Sequence, residues 1–192
     1  MVSILIATDI FGYTKAIETL KHRFELLYET VHILDPYDAK CMNFHDENEA
    51  YDVFNVHCGL ERYTTLCAQA LDACASEETI LIGFSMGASA LWNALDRRKD
   101  ATIKGFYGFY ASQIRHSLDA KPCVPCTLIF PKNEKHFNVD DVITQLDKNE
   151  NVTCLKTAYL HGFMNPCSVN YTAKGNAEYG QWLEEHLSKK QR

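Results

Sequence analysis

Apolar residues fall in short blocks along the chain, and the blocks alternate between two periods. Residues 2–7 (Val-Ser-Ile-Leu-Ile-Ala) form an almost unbroken apolar run of strand length, stopped by Asp9 and Gly12. Apolar positions 17, 20, 24 and 27 then follow helical spacing across residues 14–28. Val31–Leu34 reads as a second strand, ended at Asp35-Pro36 because the residue before a proline is pushed out of helical geometry. Residues 38–58 hold no clear period: polar and acidic first, then apolar at Tyr51, Val53, Phe54 and Val56. From Gly59 to Ala75 a helix is expected, with Leu60, Tyr63, Leu66, Cys67 and Ala70 on its inner face. Strands over 79–84, 103–110, 126–130 and 152–158 and helices over 86–98, 139–148 and 175–188 complete the series. Alternation at these lengths predicts an α/β architecture, a mostly parallel sheet flanked by helices on both faces. No repeat or low-complexity linker interrupts it, so residues 1–192 read as a single domain.

Active sites in such sheets lie beyond the carboxyl ends of the strands. Asp9–Gly12, Ser85, Asn133–His136 and His161 all fall at such ends. The most informative of them is Gly83-Phe84-Ser85-Met86-Gly87, a G-x-S-x-G entered by the strand 79–84 and left by a helix rich in small residues. A serine at such a turn has a strained backbone, so the positions two before and two after it must lack side chains. Ala88 and Ala90 let the helix approach the sheet. The hydroxyl then stands at a helix N-terminus, where developing negative charge is favoured.

Composition narrows the alternatives. A net charge of −6 argues against a nucleic-acid partner, which needs a basic face. The cluster Arg97-Arg98-Lys99 is expected to close the helix after Ser85, where cations suit the helix C-terminus. No apolar run reaches membrane-spanning length, and the first strand lacks the basic start of a signal peptide, so a cytoplasmic protein without a membrane partner is expected. Eight cysteines then read as reduced thiols, with Cys67 and Cys74 in the core. Cys123-x-x-Cys126 has no second pair or histidines at ligand spacing, so no metal is expected. The tail 188–192 is expected to fray.

A serine nucleophile needs a base, and the base needs an orienting carboxylate. In α/β-hydrolases these occur in the order Ser, acid, His. His161 follows the last strand directly and is the natural base. The acid is expected after the strand 126–130, where Glu134 is the best-placed carboxylate; Asp140 and Asp141 are the alternatives, though the first turn of a helix already accounts for them. His136, beside Glu134, is a candidate pocket residue. Two backbone N–H groups are expected to hold an oxyanion, one from Met86 and one from Ile10 or Phe11. Asp9 faces the same region, placed either to bond Ser85 or to cap the helix that starts near residue 14.

Ala7-Thr8-Asp9-Ile10-Phe11-Gly12, the Ser85 turn, Phe106-Tyr107-Gly108-Phe109-Tyr110, the acid loop and His161-Gly162-Phe163 together resemble the dienelactone hydrolase family, in order along nearly the whole chain. The resemblance implies a compact three-layer α/β-hydrolase fold without a large lid, cleavage of lactones and esters, and no metal or organic cofactor. The chain departs from the family pattern in three ways. Ser85 stands where the founding enzymes have cysteine, Glu134 where aspartate is usual, and Pro131 where a glycine precedes the acid. The family's substrate-holding arginines have candidates in Arg115 and, second, Arg62. Phe11, Tyr13, Tyr107, Phe109, Tyr110 and Phe163 are candidate apolar walls for a pocket, of which Phe11 and Tyr110, with Asp9 and Arg115, are the substrate-binding candidates.

The expected function is therefore hydrolysis of a small-molecule ester or lactone through an acyl-serine. Acyl transfer or carbon–carbon bond hydrolysis on the same groups is an enzymatic alternative. The other class is a small-molecule or partner-binding protein on a hydrolase fold whose site has degenerated.

Overall fold

The structure is a computed structural model and describes residues 2–188. Six strands form one parallel sheet: β1 (Val2–Ala7), β2 (Val31–Leu34), β3 (Glu78–Phe84), β4 (Ile103–Phe109), β5 (Cys126–Phe130) and β6 (Val152–Lys156). Six helices connect or follow them: α1 (Lys15–Glu25), α2 (Glu47–His57), α3 (Gly59–Ala73), α4 (Met86–Ala94), α5 (Val139–Leu146) and α6 (Ala173–Ser188). The strand order is β2-β1-β3-β4-β5-β6. The chain thus runs outward from β1 to β2, then returns to the other side of β1 and proceeds to β6. The order reverses between β1 and β3, and that crevice is where open α/β sheets bind ligands.

Alternation along the strands sorts the core into two layers. Ile4, Ile6, Ile80, Ile82, Tyr107, Phe109 and Ile129 point to the face covered by α1 and α6. Leu5, Ala7, Leu81, Phe106, Leu128 and Phe130 point to the face covered by α2, α3, α4 and α5. The central strands are apolar on both sides because both faces are covered.

Three sequence expectations change. The unclassified stretch 38–58 contains α2, capped by Asp46, whose side chain accepts from Glu49 N. The helix after Ser85 ends at Ala94 rather than residue 98, and Arg97-Arg98-Lys99 follow it instead of closing it. Arg97 takes a positive φ of 55° while its N–H donates to Lys121 O, and Arg98 pairs with Asp72 and Asp100. A left-handed residue ends an α-helix, which explains the early stop. Of the tail expected to fray, residues 189–192 lie outside the described residues. None of the helices described is long and apolar enough to cross a membrane.

Candidate active site

β3 delivers Ser85 into a tight turn with φ 50° and ψ −111°, a backbone conformation that residues other than glycine seldom adopt. The flanking glycines are required by contact. A Cβ on Gly83 would lie 2.5 Å from Ala88 Cα, and one on Gly87 would lie 2.3 Å from the Thr8 carbonyl oxygen. The first α4 turn therefore sits against the ends of β1 and β3. Ser85 N–H donates to Phe109 O at 2.9 Å, and Ser89 Oγ–H donates to Ser85 O at 3.0 Å, which ties the turn to β4 and α4.

From this turn a hydrogen-bonded chain runs across the carboxyl end of the sheet. Ser85 Oγ lies 2.9 Å from His161 Nε2, and His161 Nδ1 lies 2.7 Å from Glu134 Oε1. A carboxylate only accepts, so Nδ1 carries the proton and Nε2 is left to accept from the serine hydroxyl. Ser85 is buried, and the His161 and Glu134 side chains are only 22% and 13% exposed, so the relay is largely withdrawn from water. Asn170 Nδ2 donates to His161 O at 2.9 Å and steadies the loop after β6. Asp140 and Asp141, the other carboxylates considered, stay exposed at the α5 N-terminus, where Asp140 bonds Lys156 Nζ at 2.6 Å. His136 is also exposed.

The loop after β1 closes the other side of Ser85. Phe11 N–H donates to Asp9 Oδ1 at 3.0 Å, and Tyr37 Oη donates to Ile10 O at 2.7 Å. Among the described residues no hydrogen bond uses the N–H of Ile10 or of Met86. Of the two loop donors considered, Phe11 is thus already engaged and Ile10 is not. Asp9 takes neither place expected of it. Its second oxygen accepts from Asn165 Nδ2 at 2.5 Å, while α1 is capped by Thr14, whose hydroxyl accepts from Ile17 N. Thr14 stands next to the helix and Asp9 is held back at the strand end, which decides the cap. Burial pushes the Asp9 carboxyl up to about 6, against the opposing pull of its bonds to Asn165 and Phe11 and of the nearby His161.

Beside Asp9 the sheet and helices leave a cavity of about 270 Å³, whose buried wall includes Phe84, Tyr110, Asp9 and Asn165. Tyr110, which lines the cavity, has a φ of 41° and places its ring 5.1 Å from that of His161. The other aromatic candidates divide otherwise. Phe11 joins the core under α2–α4, whereas Tyr107, Phe109 and Phe163 belong to the layer under α1 and α6, and Tyr13 is half-buried. Arg115 lies on a short 3-10 turn, Ser112–His116; its Nη1 donates to Ser112 O at 2.7 Å and its guanidinium stands 5.2 Å from the Phe137 ring centre. Arg62 donates to His57 O on the surface, and neither arginine lines the cavity. Tyr37, Asn165 and Asn170 were not anticipated from sequence. The turn dipeptide Asn165-Pro166, four residues past His161, is the one local signal among them.

Comparison with known proteins agrees with this architecture. No family model matches the sequence. Among curated proteins, the uncharacterized protein YczH of Bacillus subtilis is 31% identical over 128 residues, covering 66% of this chain and 62% of YczH. The chain therefore spans less than two thirds of the length of the curated relative it matches. A dienelactone hydrolase-like promiscuous phosphotriesterase from metagenomic libraries superposes with a TM-score of 0.75 at 13% identity, over 98% of this chain and 86% of its own. Est1E of Butyrivibrio proteoclasticus, solved with ferulic acid, gives 0.64 at 10% identity over 98% and 90%. A dienelactone hydrolase from Anabaena variabilis gives 0.60 at 13% identity over 96% and 85%. At these identities the likeness is one of fold: the chain has a three-layer α/β-hydrolase fold. Dienelactone hydrolase-like proteins are among the structures that share this fold.

Proposed function

We propose that the protein is a serine hydrolase that cleaves a carboxylic ester or lactone of a small molecule. The observation that carries this reading is the continuous bonding from Ser85 Oγ through His161 to Glu134 at the turn that opens α4. In the proposed cycle His161 Nε2 takes the serine proton as Oγ attacks the carbonyl carbon. Glu134 holds the imidazole in the right tautomer and stabilises the imidazolium that forms. The oxyanion is received by the N–H groups of Met86 and Ile10, reinforced by the α4 N-terminus. His161 then protonates the leaving oxygen, and water, activated by the same imidazole, hydrolyses the acyl-Ser85 ester. Each step moves a proton between named groups and calls on no cofactor.

A fluorophosphonate probe followed by peptide mapping tests the reading. Stoichiometric labelling at Ser85, with turnover of a p-nitrophenyl ester that disappears in Ser85→Ala, is the expected result. A folded protein that neither labels nor turns over any of a panel of esters, lactones and thioesters would overturn it in favour of a binding role.

A further inference from the structure

The cavity beside Asp9 lies outside the Ser85–His161–Glu134 relay, and its chemistry is uneven. Its walls are mostly apolar, with Ile17 and Leu20 from α1, Leu183 from α6 and Met164 from the loop between β6 and α6. Two charged residues line it. Arg23, at the exposed edge, already faces Glu184, with 2.6 Å between Nε and Oε1. Asp9 is only 7% exposed, and its hydrogen-bond donors, the Phe11 backbone and the Asn165 amide, are both neutral. A buried carboxylate without a cationic partner is costly, and a ligand that supplies the cation recovers much of that cost. Phe84 and Tyr110 add aromatic rings to the same wall, a surface that attracts cations.

We propose that this cavity is a binding site for a small hydrophobic ammonium ion, an arylalkylamine whose nitrogen faces the Asp9 carboxylate and whose ring lies among Ile17, Leu20, Met164 and Leu183. Size supports the class. An apolar cavity of about 150 Å³ holds one benzene ring, so 270 Å³ takes a molecule of about ten heavy atoms. Selectivity follows from charge: a neutral alcohol of the same shape only hydrogen-bonds to Asp9, and a carboxylate is repelled by it.

Isothermal titration at pH 7.5 with 2-phenylethylamine, 2-phenylethanol and 3-phenylpropionate tests the proposal on the full chain. The amine is expected to bind at least about tenfold more tightly than the alcohol, and the carboxylate not at all. In Asp9→Asn the preference for the amine should vanish. Gly180 lines the cavity, and a Cβ there would make only an ordinary contact, 3.5 Å from Arg23 Nη1. Gly180→Leu should therefore fill the space and weaken the amine about tenfold without depending on Asp9. Equal binding of amine and alcohol, or no binding of the amine to the wild-type protein, overturns the proposal. So does a preference for the amine that survives Asp9→Asn, or an affinity that Gly180→Leu leaves unchanged. The same titration on Ser85→Ala should match wild type, so the outcome stands whether or not Ser85 is a nucleophile.

Discussion

The turn around Ser85 and the loop around Glu134 supply the two ends of one hydrogen-bonded chain, and they are held by different means. At Ser85 backbone meets backbone: Gly83 packs on Ala88 and Gly87 on the carbonyls of Ala7 and Thr8, each too closely for a Cβ. Position there is over-determined by three elements, and the positive φ at Ser85 persists because nothing around it can relax. Glu134 comes from the irregular segment 131–138, which is anchored near its ends. Lys132 N–H donates to Tyr159 O at 2.6 Å, and Asn138 caps α5. Between those anchors Glu134 finds His161 with its own side chain. Steric closeness selects residues by size and leaves a mark in the sequence. Reach selects only a carboxylate, and Glu134, Asp140 and Asp141 all stand in the same stretch of sequence.

The largest effects separate these two kinds of support. Ser85→Ala removes the proposed nucleophile from a frame that backbone contacts hold, so ester turnover should fall by roughly 10⁴-fold or more while the melting temperature stays near wild type. Gly87→Ala should instead lose activity together with the fold, because its Cβ would fall 2.3 Å from Thr8 O, inside contact distance of backbone that cannot move aside. Circular dichroism melts beside the esterase assay distinguish the pair. A Gly87→Ala protein that melts like wild type would show that the turn is less constrained than its contacts imply.

At the other end, Glu134→Gln keeps the shape but not the charge. It should lower kcat by roughly 10² to 10⁴-fold, since the imidazolium loses its stabiliser and the tautomer is no longer fixed. Asp140→Asn, at an exposed helix start, should leave kcat unchanged. If the two variants behaved alike, the loop would be supplying its acid from elsewhere, and the 2.7 Å bond to His161 would not be the functional one.

This contrast also explains which features the sequence announces by itself. The strands and most helices were legible because both layers are built on simple periods, and Ser85 was legible because Gly83, Gly87 and Ala88 record its packing. The α2 helix was not, since its acidic start and apolar end blur the period, and only Asp46 marks where it begins. The end of α4 depends on Arg97 adopting a left-handed backbone, which an arginine does not announce. Tyr37 and Asn165 act across 27 and 156 residues of sequence, on Ile10 and Asp9, and no local pattern encodes such a meeting. The cavity depends on how α1 and α6 settle against each other over Asp9, a property of packing rather than of either helix.

Asp9 gives the smallest effect and asks on which side of the comparison it belongs. It ties the loop after β1 to the loop after His161, but by hydrogen bonds rather than by steric closeness, and it does so from a buried position. Because burial raises its carboxyl to about 6, the native state holds the Asp9 proton more tightly than the unfolded chain does. The stabilisation from that proton is complete below the ordinary carboxylate value and is lost as the pH rises through about 6. Between pH 5 and pH 8 wild type should lose roughly 1 kcal/mol from this group, and Asp9→Asn should lose none of it. Urea unfolding of both proteins at the two pH values isolates the contribution, since every other titrating group is common to the pair. In the Asp9→Asn variant the new side chain can still accept from Phe11 N–H through its carbonyl oxygen, but its amide nitrogen would then face the Asn165 amide. The variant should gain stability relative to wild type as the pH rises from 5 to 8, because only wild type carries the titrating carboxyl. A stability difference between the two proteins that is the same at pH 5 and pH 8 would mean that Asp9 stays ionised in the fold and that water or a cation already reaches it.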